Sequence, residues 1–220
     1  MTDKTPENRC RIVLIAPEGA SPDQFADALR QALAGGDVAS LILPQYGLDE
    51  AAFQRLAEAA TPIAQAAGAA VIIAGDSRVA GRVKADGIHV DGKAELADTI
   101  DRWQAKMMVG TGGAKTRDDA LELGEQRPDY IFFGRFGYDT TSEAHHRNLS
   151  LGQWWAEIIE VPCIVMAGSD IASVEAVART RAEFVALSKA VFGPEIDPKD
   201  AVARANALLD EFAPHLAETS

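Results

Sequence analysis

The chain is poor in cysteine, in basic residues and in long apolar runs. Two cysteines, Cys10 and Cys163, occur among 220 residues, too few for a disulfide framework. Lysine and arginine number 21 against 33 acidic residues, giving a net charge of −12, which disfavours nucleic acid and anionic membrane surfaces as partners. No run approaches the ~20 apolar residues that span a bilayer, and the polar N-terminus resembles no signal peptide. We therefore expect a cytoplasmic protein with no nucleic-acid or membrane partner.

What the chain does contain is a regular series of eight short apolar runs separated by stretches of helical periodicity. The runs cover residues 11–16, 39–43, 70–74, 87–90, 106–109, 129–133, 163–167 and 183–187. Apolar runs without alternation indicate strands covered on both faces, and helical intervals imply parallel pairing. Eight such units predict an α/β fold, the (β/α)8 TIM barrel, and an open doubly wound sheet is the competing fold.

The pattern continues almost from end to end without a shift in composition. We expect one domain over residues 1–220, with a polar tail at 1–10 and a C-terminal helix at about 198–216. The longest connection, residues 134–148, is a candidate lid. The glycines of segment 110–116 depart from the nucleotide-binding phosphate-loop pattern, and we expect them to open space above the fifth strand.

Ligands of barrel enzymes bind in the loops that follow the strands, and phosphates often bind after strands seven and eight. Gly168 and Ser188 stand in those two loops. Glycine lets the backbone approach an anion, and serine at a helix start adds an N–H and a hydroxyl. The same residues also suit a plain turn and a plain helix cap. His89 falls inside or at the end of the fourth strand, and Asp91 falls just past it. Both suit acid/base chemistry, while His89 also suits a hydrogen-bonded core position.

Four segments, taken in order, resemble the thiamine-phosphate synthase family and the related thiazole tautomerases. They are ADGIH at 85–89, DYIFFG at 129–134, PCIVMAG at 162–168 and VALSKAVF at 185–192, within a similarity over about residues 10–193. The resemblance implies a (β/α)8 barrel and a transferase of thiamine biosynthesis. Such an enzyme joins hydroxymethylpyrimidine diphosphate to thiazole phosphate with Mg²⁺ and releases pyrophosphate. It also implies a phosphorylated small-molecule ligand, with its phosphate at Gly168 and Ser188.

Several charged residues of the family pattern are replaced in this chain. The basic pair after strand two corresponds to about Leu43 and Gln45, and a metal-binding aspartate after strand four corresponds to about Ala94. Asp76 stands one position late after strand three, and Ser142 stands where the family has lysine. These departures put the synthase activity in question, because the replaced groups hold the metal and the diphosphate.

The charged residues near the mouth that could rebuild such a site are Asp76, Arg78, Asp91 and Arg135. From the resemblance we expect Asp76, Asp91 and Arg135 to be catalytic. Asp76 and Asp91 would serve as Mg²⁺ ligands, with Arg135, at the tautomerase histidine position, facing the diphosphate. We expect the substrate loop to include Gly134, Thr141 and His89.

Two other functions remain open at this point. One is a non-catalytic or regulatory barrel that binds a thiamine-related phosphate through Gly168 and Ser188. The other is a barrel enzyme with different chemistry on a phosphorylated small molecule, using His89 or Asp91 as acid or base. The sequence also leaves open whether the chain forms a homo-oligomer.

Overall fold

The computed structural model describes residues 9–214. Its strands form a closed parallel barrel in the order β1 to β8, and β8 pairs with β1 through the register Val13 to Ala186. The strands are β1 Arg11–Ile15, β2 Ser40–Pro44, β3 Ala70–Ala74, β4 Gly87–Asp91, β5 Met108–Gly112, β6 Tyr130–Phe133, β7 Cys163–Met166 and β8 Phe184–Leu187. The predicted (β/α)8 barrel is thereby confirmed, and the open doubly wound sheet is excluded.

Helices follow the strands around the outside of the barrel. They are α1 Pro22–Leu33, α2 Glu50–Ala66, α3 Ser77–Val83, α4 Lys93–Trp103, α5 Arg117–Gly124, α6 His146–Ile158, α7 Val174–Ala178, α8 Lys189–Phe192 and α9 Pro198–Phe212, with a 3-10 turn at Ile171–Ser173. None of the helices within residues 9–214 combines the length and apolarity needed to cross a membrane.

Both ends of the chain differ from expectation where the structure describes them. The last helix ends at Phe212 instead of about residue 216. Of the tail predicted at 1–10, residues 1–8 lie outside the described part, while Cys10 is buried. Arg9 places its Nε 2.8 Å from Oδ1 of Asp210, so the chain packs against α9 before β1 begins.

The fifth strand lies two to three residues later than the apolar run predicted. It contains Gly110 and Gly112, residues that disfavour strands by propensity. A Cβ at Gly110 would overlap the ring of Tyr130, and one at Gly112 would lie 3.2 Å from Nε2 of His89. The glycines are therefore needed inside the barrel, because neighbouring strands supply large rings there.

The connection predicted over residues 134–148 is shorter than expected, because α6 begins at His146. His145 starts this helix as its N-cap, and its Nδ1 accepts a hydrogen bond from the backbone N–H of Arg147 at 3.2 Å. Trp155 anchors the helix, since it is fully buried and its Nε1 donates to the carbonyl of Val161 at 2.7 Å. The segment from Gly134 to His145 thus starts and ends on firmly packed elements.

Candidate active site

A cavity among residues 9–214, the larger of the two considered below, lies where β4, β5, β6 and β7 end. Its volume is about 650 Å³, and residues from the four loops that follow these strands line it. Three of the lining residues, Lys115, Arg135 and Arg147, carry positive charge. Three other lining residues, Asp91, Asp139 and Glu143, carry negative charge. The cavity therefore offers an anion three nearby cations without being positive as a whole.

Aromatic rings line one side of this cavity. Phe132 and Phe136 are stacked with ring centroids 5.0 Å apart and an interplanar angle of 13°. Tyr138 is 59% exposed, and the guanidinium carbon of Arg135 lies 3.7 Å from its ring centroid. Phe132 is buried against Phe136, so a flat heteroaromatic ligand in the cavity would meet Phe136 and the Arg135–Tyr138 pair.

His89 lies inside the barrel, below the cavity. Its side chain is 1% exposed, and Nδ1 is 2.9 Å from the hydroxyl of Tyr130. Burial raises the pKa of Tyr130, so this phenol remains neutral. His89 lines neither of the two cavities described here, and Phe136 lies against its ring with centroids 5.1 Å apart. The imidazole therefore has a core position, and Asp91 is its polar link to the mouth.

Asp91 forms that link. Its Oδ1 lies 3.5 Å from Nε2 of His89, and its side chain is 67% exposed and lines the larger cavity. The nearby imidazole, and to a lesser degree Arg135, lower the pKa of Asp91. The carboxylate is therefore ionised near neutral pH and available to a ligand.

Asp76 is held elsewhere. It caps α3, where it accepts the N–H of Arg78 at 2.9 Å, and it pairs with the guanidinium of the same residue at 2.5 Å. Arg78 in turn pairs with Glu50 at 2.7 Å. This pairing lowers the pKa of Asp76, and the residue lines neither cavity. The structure thus does not bring Asp76 into the cavity with Asp91, and residues 9–214 contain no cluster of three metal-ligating side chains.

Gln45 connects the loops after β2 and β3. Its Nε2 donates to the carbonyl of Leu48 at 3.0 Å, and its Oε1 accepts the N–H of Asp76 at 3.0 Å. A Cβ at Gly75 would lie 2.6 Å from this Oε1. Where the family resemblance places a basic residue, this chain has an amide that ties two loops together.

The backbone amides after β7 are occupied by the protein itself. Gly168 donates to Oγ of Ser173 at 2.9 Å, and the next two amides donate to carbonyls of the β6–α6 segment. These bonds join Ser169 to Thr141 at 2.8 Å and Asp170 to Ser142 at 3.2 Å. A Cβ at Gly168 would overlap the backbone of residues 142–143. The glycine is needed here for the approach of a protein segment.

Ser188 caps α8 and borders a second, smaller cavity of about 260 Å³. The first amide of that helix, at Lys189, donates to Oδ2 of Asp139 at 2.7 Å. Asp139 is 4% exposed and lines both cavities. Sequence reasoning missed it, because one aspartate among polar loop residues carries no pattern; only its contact with α8 distinguishes it.

The profile of a protein family described as thiamine monophosphate synthase matches residues 12–191. The chain belongs to this family. It is 31% identical to the thiamine-phosphate synthase of Hyphomonas neptunium, over 97% of this chain and 100% of that protein. It is also 31% identical to the enzyme of the same name from Rhodospirillum centenum, over 91% and 98%.

Solved structures bear out the fold of this thiamine monophosphate synthase family member. The thiamine phosphate pyrophosphorylase of Pyrococcus furiosus superposes with a TM-score of 0.78 at 18% identity, covering 93% of this chain and 97% of that one. The (S)-3-O-geranylgeranylglyceryl phosphate synthase of Thermoplasma acidophilum, solved with sn-glycerol-1-phosphate, gives 0.68 at 16% identity, over 94% and 96%. Barrels of this shape are thus shared by proteins with different substrates.

In this family member the larger cavity brings together four of the residues predicted for the site. They are Asp91, Gly134, Arg135 and Thr141. Thr141 bonds its hydroxyl to the carbonyl of Glu143 at 3.0 Å. Lys115 and Arg147 join them without having been predicted. A single cation is a weak sequence signal, and only the closure of the barrel brings Lys115, after β5, and Arg147, at the start of α6, to the wall of one cavity with Arg135.

Proposed function

We propose that this chain catalyses the thiamine-phosphate synthase reaction in the larger cavity, joining hydroxymethylpyrimidine diphosphate to thiazole phosphate. In that reaction the bond between the pyrimidine methylene carbon and the diphosphate oxygen breaks, and the diphosphate leaves with the electron pair. The thiazole nitrogen supplies the pair for the new carbon–nitrogen bond. The observation that carries the proposal is membership of the family over residues 12–191 together with a cavity at the barrel mouth whose wall includes three cations.

Three cations are suited to receive the departing diphosphate. Lys115, Arg135 and Arg147 line the cavity, and the guanidinium of Arg135 is oriented by the face of Tyr138. Preorganised cations stabilise negative charge as it develops on a leaving group, because they need no rearrangement during the reaction. An arginine can in addition bind two phosphate oxygens at once.

Positive charge develops at the pyrimidine methylene as the diphosphate departs. The stacked rings of Phe132 and Phe136 and the ionised Asp91 lie on the wall of the same cavity. Aromatic faces and a carboxylate both stabilise a nearby cation. We assign Asp91 this electrostatic role and His89, through its contact with Asp91, a positioning role.

Mg²⁺ is implied by the family resemblance, but the two aspartates proposed as its ligands do not fit it. Mg²⁺ binds through one or two carboxylates together with substrate phosphates. Asp91 faces the cavity, whereas both oxygens of Asp76 accept hydrogen bonds from the Arg78 guanidinium. We therefore derive no step through a metal and assign neutralisation of the diphosphate to Lys115, Arg135 and Arg147.

The phosphate of the acceptor is proposed to bind at the start of α8, beside Ser188. The expected partner Gly168 lines neither cavity, and its amide already donates to Oγ of Ser173. The smaller cavity beside Ser188 supports this placement, since it adjoins the start of α8. We also propose a phosphorylated small molecule as the ligand and the cytoplasm as the place of action. The alternative with His89 as acid or base loses its main support, since His89 lines neither cavity.

The test is synthesis of thiamine phosphate by the purified chain from the two substrates, with release of pyrophosphate as a second readout. Arg135→Gln should lower kcat/KM by about 10- to 100-fold, the effect of losing a hydrogen bond to a charged group. Arg179→Gln is the matched control, because Arg179 also stacks on an aromatic ring, Phe212, but on the outside of the barrel. Absence of both products above the blank would refute the proposal, and stabilisation by thiamine phosphate alone would then favour a binding barrel.

A further inference from the structure

The carboxylate of Asp139 lies at the start of α8, where barrels commonly bind a ligand phosphate. Its Oδ2 accepts the N–H of Lys189 at 2.7 Å, and it lines the smaller cavity together with Ser188 and Lys189. A carboxylate and a phosphate compete for the same donors, since both are anions that accept from backbone N–H groups. In this chain a side-chain anion thus occupies an amide that the proposed acceptor would use.

One oxygen of the Asp139 carboxylate has no hydrogen-bond partner among the described residues. The residue is 4% exposed, and of the residues described no donor reaches its buried Oδ1. A buried carboxylate oxygen without a partner is costly, because it has lost water and gained nothing in return. If the Asp139 side chain moves away, it loses one hydrogen bond, from the backbone N–H of Lys189. Its Oδ1 is then no longer buried without a partner.

We propose that Asp139 is an internal competitor of the acceptor phosphate and sets the affinity of this end of the site. Phosphate binds to the amide at Lys189 after the carboxylate has left it. Asp139 thereby weakens the binding of phosphorylated ligands and of free phosphate alike. The proposed function identifies the ligand as thiazole phosphate, whereas the competition itself concerns any phosphate.

The other charged residues that line the smaller cavity provide a control for the experiment. Glu18 and Lys189 line the smaller cavity with Asp139. Burial raises the pKa of Tyr46, and Asp139 and Glu18, whose carboxylates both belong to the lining of this cavity, raise it further. Glu18 is exposed and accepts no hydrogen bond from Lys189. Glu18→Gln thus removes one charge from the same cavity without vacating the amide.

The experiment measures binding of inorganic phosphate to the full-length chain by calorimetry, with Asp139→Ala, Asp139→Asn and Glu18→Gln beside the unchanged protein. Both Asp139 variants should bind phosphate at least about tenfold more tightly, because a unit negative charge beside the site is removed. The alanine variant should gain more, since asparagine still offers an oxygen to Lys189. Glu18→Gln should change the affinity less than about threefold, because exposed charges are screened. The KM for thiazole phosphate should fall in the Asp139 variants by a larger factor than the KM for the diphosphate substrate, since only the phosphate competes for the amide of Lys189 although Asp139 lines both cavities.

Equal gains in Glu18→Gln and Asp139→Asn would overturn the proposal, because they would indicate a general field instead of competition. Unchanged phosphate affinity in both Asp139 variants would overturn it as well. If Asp139→Ala does not fold, the isosteric Asp139→Asn decides. An active enzyme with unchanged phosphate affinity refutes this inference alone, whereas an inactive enzyme with the expected gain refutes the proposed function alone.

Discussion

Gly110 lies directly beneath the ring of Tyr130, and its replacement by alanine would overpack the barrel interior. The added Cβ would fall well inside contact distance of three ring atoms of Tyr130. The ring has little freedom to move, because Tyr130 is 6% exposed and its hydroxyl bonds to Nδ1 of His89 at 2.9 Å. Overpacking costs about 1–3 kcal/mol and a lost hydrogen bond about 1 kcal/mol, so we expect a loss of about 2–4 kcal/mol in the free energy of unfolding.

Urea unfolding and thermal melting measure this loss. For a domain of this size Gly110→Ala should lower the Tm by about 5–15 °C. Gly81→Ala is the control, because Gly81 lies in α3 with no atom within 4 Å of its added Cβ, and alanine there should stabilise the protein by about 0.5–1 kcal/mol. If Gly110→Ala cost less than about 0.5 kcal/mol, which is below any overpacking penalty, the claim that Tyr130 requires glycine in β5 would be wrong.

Two further predictions concern the loops at the mouth. Asp91→Asn should destabilise the protein by up to about 1 kcal/mol at pH 7, since Asp91 is largely exposed and its pKa is lowered mainly by His89. A lowered folded pKa gives stability that is present above the unfolded pKa of about 3.9 and is lost as pH falls through the folded value. The difference should therefore vanish in urea titrations well below pH 3.9, and a difference that persisted there would contradict this origin. Gly168→Ala should push residues 142–143 off the β7 end and speed amide hydrogen exchange at Ser169, whereas Gly47→Ala, with open space around it, should not. Unaltered exchange in Gly168→Ala would contradict this packing.

The barrel could be predicted because its signal is repeated along the chain. Each strand is covered on both faces, so an apolar run marks each one, and errors in single boundaries do not alter the count. β5 was displaced in the prediction because its inner face is Gly110 and Gly112, whose space is filled by rings from β4 and β6. Such a strand is defined by its neighbours, and no feature of its own sequence indicates it.

The sequence correctly predicted those site residues that reach the cavity simply because they stand at the end of a strand. It failed for residues whose side chains pair with a neighbour outside the cavity. Asp91 ends β4 and Arg135 follows β6, and both line the larger cavity. Asp76 follows β3 and also stands at the mouth by topology, yet Arg78 two residues later holds its carboxylate. The carboxyl ends of parallel strands share an edge, but that placement leaves open which charges are already neutralised by a neighbour.

The least predictable feature is the contact of the β6–α6 segment with the ends of β7 and β8. The amides of Ser169 and Asp170 are satisfied by carbonyls of Thr141 and Ser142, and the amide of Lys189 by Asp139. Buried N–H groups must find acceptors, and in a barrel that binds phosphate the ligand supplies some of them. In this chain the β6–α6 segment supplies these acceptors. Two of these acceptors are backbone carbonyls, which any residue could provide. Only the charge of Asp139 indicates in the sequence that protein groups take the place of ligand oxygens. That charge is therefore the place at which competition between ligand and protein can be altered without changing the fold.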